Sequence, residues 1–462
     1  MNQSPSSAST DGAAATEPPW PNIRYAWFVV FILYIASIFS FLDRQIISLM
    51  VEDIKIDLGL TDFQIGLVQG LPFGLFYALM SIPIALAADR YSRRNIIVIG
   101  VTFWSLATAA CGLASSFWHL FLARVGVGSG EATLSPSAYS MISDYFPKSK
   151  LALAMAVFTM GNLTGVGLAM ILGGEVIAYA KSLGSLEFPL VGELRPWQFS
   201  FIVIGLPGVL LALCVFAIRE PIRRGRAPAG AGDKGHAEGT SLRAFFAFAA
   251  SHKLTFASLF GSFTLLVLVA YGNFGWVPTF LIRTYGLTEV QAGASYGTVV
   301  LLFGTSGAFF GGWLSSWLAK RGHGDAPYRA TMLCSIPTAP LALMAFVFSP
   351  NEDWSIALLA PLQFVGAVPA GLAATAMMTI TPNQMRAKIG SAYLFFSNAI
   401  GLSLGATTVG FLTTYVFEDP LQIGSSLAIV NCIGAPLAVV LIWLGMKPFR
   451  ASLREVEAAT TG

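Results

Sequence analysis

The chain has 462 residues, of which 55% are hydrophobic and 11% charged, with a net charge of +3. A soluble protein averages roughly 25% charged residues, so these charges cannot cover a water-exposed globule of this size. Much of the surface must face lipid, and an excess of +3 is too small to suggest a nucleic-acid partner.

Met1 to Pro21 is rich in Ser, Ala, Thr and Pro and carries no Lys or Arg. It therefore lacks the basic start of a signal peptide, and 1–22 is expected to be a disordered cytoplasmic tail. A spanning helix needs about 20 mostly apolar residues. On that measure twelve are expected, at 25–48, 62–87, 95–115, 117–143, 151–178, 198–218, 254–282, 292–318, 329–349, 354–380, 388–416 and 423–446.

The loops test this count, because Lys and Arg concentrate on cytoplasmic loops. With Arg24 inside, the inside loops carry Arg90, Arg93 and Arg94, then Lys148 and Lys150, then Arg219, Arg223, Arg224 and Arg226. Lys320, Arg321 and Arg329 follow, then Arg386 and Lys388, and the tail has Lys447, Arg450 and Arg454. The opposite loops hold only Lys55, Lys181, Arg195 and Arg283, beside acidic clusters at Glu52, Asp53 and Asp57, at Glu352 and Asp353, and at Glu418 and Asp419. A wrong count would scramble this alternation, so both termini are expected in the cytoplasm.

The longest polar interruption separates two bundles of six helices, 23–219 and 252–447, with a linker at 220–251 and a second tail at 448–462. Within the linker, 241–248 reads either as a short amphipathic helix at the inner surface or as an extension of the seventh span. The stretch from Ala154 to Gly174 resembles Gly390 to Gly410 in one register, matching Asn162 with Asn398 and Gly165 with Gly401. Two repeated halves suit a transporter that binds cargo between them near mid-membrane.

Few charges fall inside the spans: Asp43 and Arg44 on the first, Arg124 and Glu131 on the fourth, and Glu175 near the outer end of the fifth. An ionisable group in hydrocarbon is costly, and its default reading is functional. Arg124 and Glu131 lie two turns apart on one helical face, about 10.5 Å. With Asp43 and Arg44 they are expected to form one polar cluster on a central cavity. A carboxyl away from water has its charged form penalised, which makes Glu131, with Asp43, the candidate proton carrier. Arg44 and Arg124 are candidates for an anionic headgroup or for the switch, since Arg keeps its charge. The alternative is a permanent ion pair that fixes packing. The second half offers aromatic and amide groups instead. Asn162, Tyr271, Asn273, Trp276 and Asn398 are candidate cavity-lining residues, and that asymmetry suits an amphiphile.

The four cysteines, Cys111, Cys214, Cys334 and Cys432, sit in separate apolar segments without paired spacing and read as small buried hydrophobes. The four histidines lie in or near loops, and no catalytic, metal-binding or nucleotide-binding motif is present. The chain is therefore not expected to be an enzyme or to need a cofactor.

Asp89-Arg90-Tyr91-Ser92-Arg93-Arg94 resembles the major facilitator signature G-x-L-x-D-R-x-G-R-R/K, although Ala85 and Ser92 replace glycines and Ala87 replaces Leu. Arg124 to Gly128 is similar to the R-x-x-x-G motif of that family's fourth helix, and the Gly-rich fifth helix is similar to that of its antiporters without the usual Pro. The resemblance implies an all-α polytopic membrane fold of twelve helices. It also implies a cytoplasmic gate at Asp89, Arg90, Arg93 and Arg94, where the alternative is that the arginines serve topology alone. Phe41-Leu42-Asp43-Arg44, Val127-Gly128-Ser129-Gly130-Glu131-Ala132 and Trp276-Val277-Pro278-Thr279-Phe280-Leu281 resemble the Spinster group. That likeness implies proton-coupled transport of a lysophospholipid or sphingoid phosphate, by a monomer among membrane lipids. Drug antiport, organic-anion carriage and a non-transporting receptor or scaffold are the alternatives. The absence of targeting signals and of long loops suits a bacterial inner membrane.

Overall fold

The computed structural model describes residues 20–189, 192–224, 242–382 and 385–461. Most of the tail expected at 1–22 and of the linker expected at 220–251 lies outside them. The first half contains α1 (Ile23–Gln45), α2 (Val51–Leu58), α3 (Asp62–Arg90), α4 (Arg93–Cys111), α5 (Phe117–Glu131), α6 (Leu134–Tyr145), α7 (Lys148–Leu183) and α8 (Pro196–Phe216). After α9 (Leu242–Ser251), the second half contains α10 (Lys253–Tyr285), α11 (Glu289–Val299), α12 (Thr305–Lys320), α13 (Ala326–Ser335), α14 (Thr338–Phe346), α15 (Glu352–Ala367), α16 (Leu372–Ile380), α17 (Arg386–Phe396), α18 (Ser403–Phe411) and α19 (Ile423–Thr461).

Eleven helices or joined helices among the described residues are long and apolar enough to cross a membrane. The expected fourth span is not among them because it divides into α5 and α6, of 15 and 12 residues. The backbone at Ala132 and Thr133 stays in the right-handed helical region, so the chain bends there without leaving the helix. With this bent element the architecture agrees with the twelve helices expected. Of the segment expected at 241–248, residues 242–248 belong to a separate helix, α9, which His252 sets off from α10, and 241 lies outside the described residues. A short hairpin, Leu186–Phe188 with Gly192–Leu194, joins α7 to α8, and composition did not foretell it.

The bundle has one end with Arg- and Lys-rich loops and one with acidic loops, called here the basic and acidic ends. The halves seal against each other at the acidic end, in a crosswise pattern. Gly59-Leu60-Thr61-Asp62-Phe63-Gln64-Ile65-Gly66 and Gly286-Leu287-Thr288-Glu289-Val290-Gln291-Ala292-Gly293 are copies of one pattern. In each copy the first glycine takes positive φ, +63° and +71°, and ends the preceding helix. In each, Thr and Gln then form a capping box that starts the next helix, α3 or α11.

The two copied helix starts meet the matched glycine helices of the opposite half. A Cβ on Gly174 of α7 would lie 2.8 Å from the Glu289 carbonyl oxygen, and one on Gly410 of α18 would strike that of Asp62. Both contacts need glycine. The register of the internal repeat is thus the register of the seal. The halves also share ion pairs here. Arg283 of α10 grips Asp62 with two bonds, of 2.7 and 3.0 Å, and also holds Glu52, while Lys181 bridges Asp53 at 2.9 Å and Glu289 at 2.7 Å. Lys55 adds a second cation to Asp62 at 2.7 Å, and Arg195 pairs with Asp57. The four basic residues of the acidic end are therefore all ion-paired.

Toward the basic end the inter-half faces open. Tyr139 of α6 faces Met377, Met378, Tyr393 and Leu394 across a cavity of about 380 Å³ that also reaches Arg386.

Candidate functional site

The charged cluster forms where α1 and α5 end. The last turn of α1 carries Asp43 and Arg44, and Glu131 is the final residue of α5. Arg44 donates to Glu131 Oε2 at 2.6 Å, with Glu131 fully enclosed. Ser40, one turn before Arg44, donates to the same oxygen. The other guanidinium arm of Arg44 donates to the Tyr271 hydroxyl of α10 at 3.2 Å. Arg44 therefore holds an acid of its own half and a phenol of the opposite half at once.

Arg124 was the other expected partner of Glu131, and the structure uses it differently. Its guanidinium donates to the backbone carbonyl of Asp43 at 3.1 Å. Its Nε and second terminal nitrogen, one Asp43 oxygen and one Glu131 oxygen are buried without a partner among the described residues. Two guanidinium groups so close would repel, and Phe73 of α3 stands against both. Its ring centre lies 4.2 Å from the Arg44 carbon and 5.5 Å from that of Arg124. The electron-rich ring face attracts each cation, typically by about 0.5–2 kcal/mol depending on desolvation. Phe41 adds a further face to Arg44 at 4.6 Å.

Tyr77 of α3 sets a third ring beside Arg44, its centre 5.9 Å from the guanidinium carbon. Ser40, Phe73 and Tyr77 were not foreseen from the sequence, because each is an ordinary residue in an apolar helix. Only Ser40, four residues before Arg44, carried a spacing signal. Trp104 and Thr108 of α4 also border Asp43.

The other candidates divide. Tyr271 joins the cluster. Asn162 accepts from Ser37 at 3.0 Å and ties α7 to α1. Asn273 exchanges two amide bonds with Asn431 of α19, at 2.8 and 3.2 Å. Trp276 is fully buried and donates to the Ala406 carbonyl at 2.8 Å. Asn398 turns back to Leu394 of its own chain segment at 2.9 Å. These four contacts link helices or satisfy backbone. Glu175 is exposed and away from the cluster on α7.

At the basic end, Asp89 and Arg90 are exposed. Arg93 is buried and pairs with Asp144 and, at 2.8 Å, with Glu220. Glu220 also accepts from the Arg94 backbone amide at 2.9 Å. Burial opposes ionisation of Glu220, but the Arg94 amide and the Arg93 guanidinium outweigh it and hold the carboxyl below its usual range. Arg223 caps the end of α3 through the carbonyls of Ala88 and Tyr91, at 2.8 and 2.6 Å. Arg93 and Arg94 are thus secured within their own half.

Residues 33–406 match the model of the Major Facilitator Superfamily. The chain belongs to that superfamily. It is an integral membrane transporter. It is 26% identical to an MFS-type efflux pump of Mycolicibacterium smegmatis over 94% of this chain and 95% of that protein. It is 26% identical to Protein spinster homolog 1 of Xenopus tropicalis, over 80% of this chain and 72% of that one. Among solved structures it is similar to a bacterial homologue of the human lysosomal transporter Spinster, in an inward-facing and unoccupied conformation. There the TM-score is 0.74 and the identity 27%, over 94% of this chain and 98% of the other. This major facilitator thus resembles Spinster proteins in sequence and fold.

Proposed function

We propose that this major facilitator is a proton-coupled secondary transporter of an amphiphilic lipid with an anionic head, such as a lysophospholipid or sphingoid phosphate. The observation that carries the reading is the double hold of Arg44, on Glu131 in one half and Tyr271 in the other. A proton on Glu131 removes the charge that Arg44 answers, and an anionic head supplies a replacement. Either event changes how firmly Arg44 joins the halves, so proton, cargo and conformation are linked. Asp43 is the second proton site, and Arg124, with two nitrogens lacking partners among the described residues, is a reserve contact for the head.

The sealed acidic end and open basic side correspond to the inward-facing state of an alternating-access cycle. The apolar cavity between Tyr139 and α16–α17, with Arg386 at its edge, suits an acyl chain. The protein works as a monomer in a bacterial inner membrane with both termini in the cytoplasm. It uses a proton gradient and no cofactor, and Asp89 and Arg90 meet the second half when the basic end closes.

The test is flux of a lysophospholipid in proteoliposomes under an imposed pH gradient. The reading predicts gradient-driven flux that Glu131→Gln abolishes. Flux indifferent to the gradient would overturn proton coupling. A second reading, export of hydrophobic compounds, is favoured by the similarity to the mycobacterial efflux pump. Competition that comes from hydrophobic drugs and not from phosphate lipids would establish it instead.

A further inference from the structure

Gln69 lies on α3, one turn before Phe73, and was not singled out by its sequence context. It is only 8% exposed, yet neither its amide oxygen nor its amide nitrogen has a partner among the described residues. Nε of Arg44 is likewise buried without a partner among them. These groups border one small cavity of about 20 Å³, together with Tyr271, Gly275 and Ala406 of the opposite half. Gly275 makes the approach possible, because a Cβ there would sit 2.5 Å from the Gln69 amide oxygen.

A buried amide that makes no hydrogen bond is costly, and such groups call for an explanation. Leucine would fill the same space without the penalty. The cavity lies on the seam between α3 of the first half and α10 and α18 of the second. In the alternating-access cycle proposed above, opening of the acidic end would part that seam and turn Gln69, Arg44 and Tyr271 toward the enlarged site. Arg44 answers an oxyanion. The Gln69 amide differs in kind, because it offers an acceptor as well as donors. It can therefore read a donor group next to the oxyanion.

We propose that Gln69 is a specificity-determining residue, which selects a head carrying a hydroxyl or ammonium beside its phosphate. The inference rests on the transport reading above, which assigns Arg44 to an anionic head. The contact is available only while the seam is open, so the head is held more tightly in that state than in the sealed one. Gln69 thereby contributes to release on the basic side.

The experiment is a binding titration on the purified full-length protein, followed by tryptophan fluorescence. The probes are a single-chain acylglycerol phosphate with a free hydroxyl and an alkyl phosphate of equal chain length without one. Wild type should prefer the hydroxyl lipid by about tenfold, the scale of one good hydrogen bond. Gln69→Leu should bind the two lipids equally, with its alkyl phosphate affinity preserved. Gln69→Met, which is unbranched and close in volume, should behave alike if leucine disturbs packing. Binding of the alkyl phosphate confirms that each variant is folded, and the ratio of the two affinities is a readout that a merely structural role would not move. A preference retained in both variants overturns the Gln69 assignment alone, and so does a wild type that binds both lipids without preference. A wild type that binds neither phosphate lipid overturns the amphiphile reading and this one with it.

Discussion

Arg44 has contacts of three kinds: an ion pair with Glu131, a hydrogen bond to Tyr271, and aromatic faces from Phe41 and Phe73. A planar guanidinium can make them simultaneously and an ammonium cannot. Arg44→Lys is therefore expected to keep the charge, lose the link to Tyr271 and lower transport by about tenfold or more, the loss of one charge-assisted hydrogen bond. Flux in proteoliposomes checks this, and near-normal flux would show that charge alone suffices. Phe73→Leu removes the ring between the two cations. It is expected to lower the thermal unfolding temperature, with a cost of about 1–3 kcal/mol from lost cation–π contact and packing. Phe73 was illegible in the sequence, as one of 35 phenylalanines. The four charges of the cluster were legible, because hydrocarbon makes each of them conspicuous. What spacing could not settle was pairing, and Arg44 rather than Arg124 takes Glu131.

At the scale of elements, the apolar spans and the alternation of their loops could be read from hydropathy and charge, and among the described residues eleven of the twelve expected spans are long and apolar enough to cross a membrane. The bend between α5 and α6 could not, because Ala132 and Thr133 are compatible with a continuous apolar helix. The capping boxes at Thr61 and Thr288 were visible in the residues but fall at polar loop edges, which a search for apolar repeats passes over. The glycines they meet set a clear expectation. Gly174→Val places branched carbons against the Glu289 backbone and should wedge α7 from α11. Spin-label distances across the acidic end should then lengthen relative to wild type, and unchanged distances would show that the helices adjust.

The ties around Arg93 predict a pH effect. Glu220 has its carboxyl held low in the folded protein, so its stabilisation is present above the unfolded value and is lost as pH falls through the folded one. Glu220→Gln should therefore lower thermal stability at neutral pH and matter progressively less in acid. A melting-temperature difference that stays constant down to strongly acidic pH would contradict this.

Over the whole molecule, the internal repeat is expressed as one contact made twice: the start of α3 on α18 and the start of α11 on α7. A seal built from equivalent pieces can part as two bodies rock, without remodelling either half. The ion pairs at Arg283 and Lys181 sit on the same seam and should set how readily it opens. On the function proposed above, a proton on Glu131 biases this two-state opening. The most direct measurement is a pair of spin-label distances, Ile56 to Leu421 across the acidic end and Tyr91 to Arg321 across the basic end, from about pH 8 to about pH 5. Wild type is expected to redistribute between two distance populations at both ends, in opposite senses, while Glu131→Gln stays in one population throughout. A mutant that shifts with pH as wild type does would remove Glu131 from the switch.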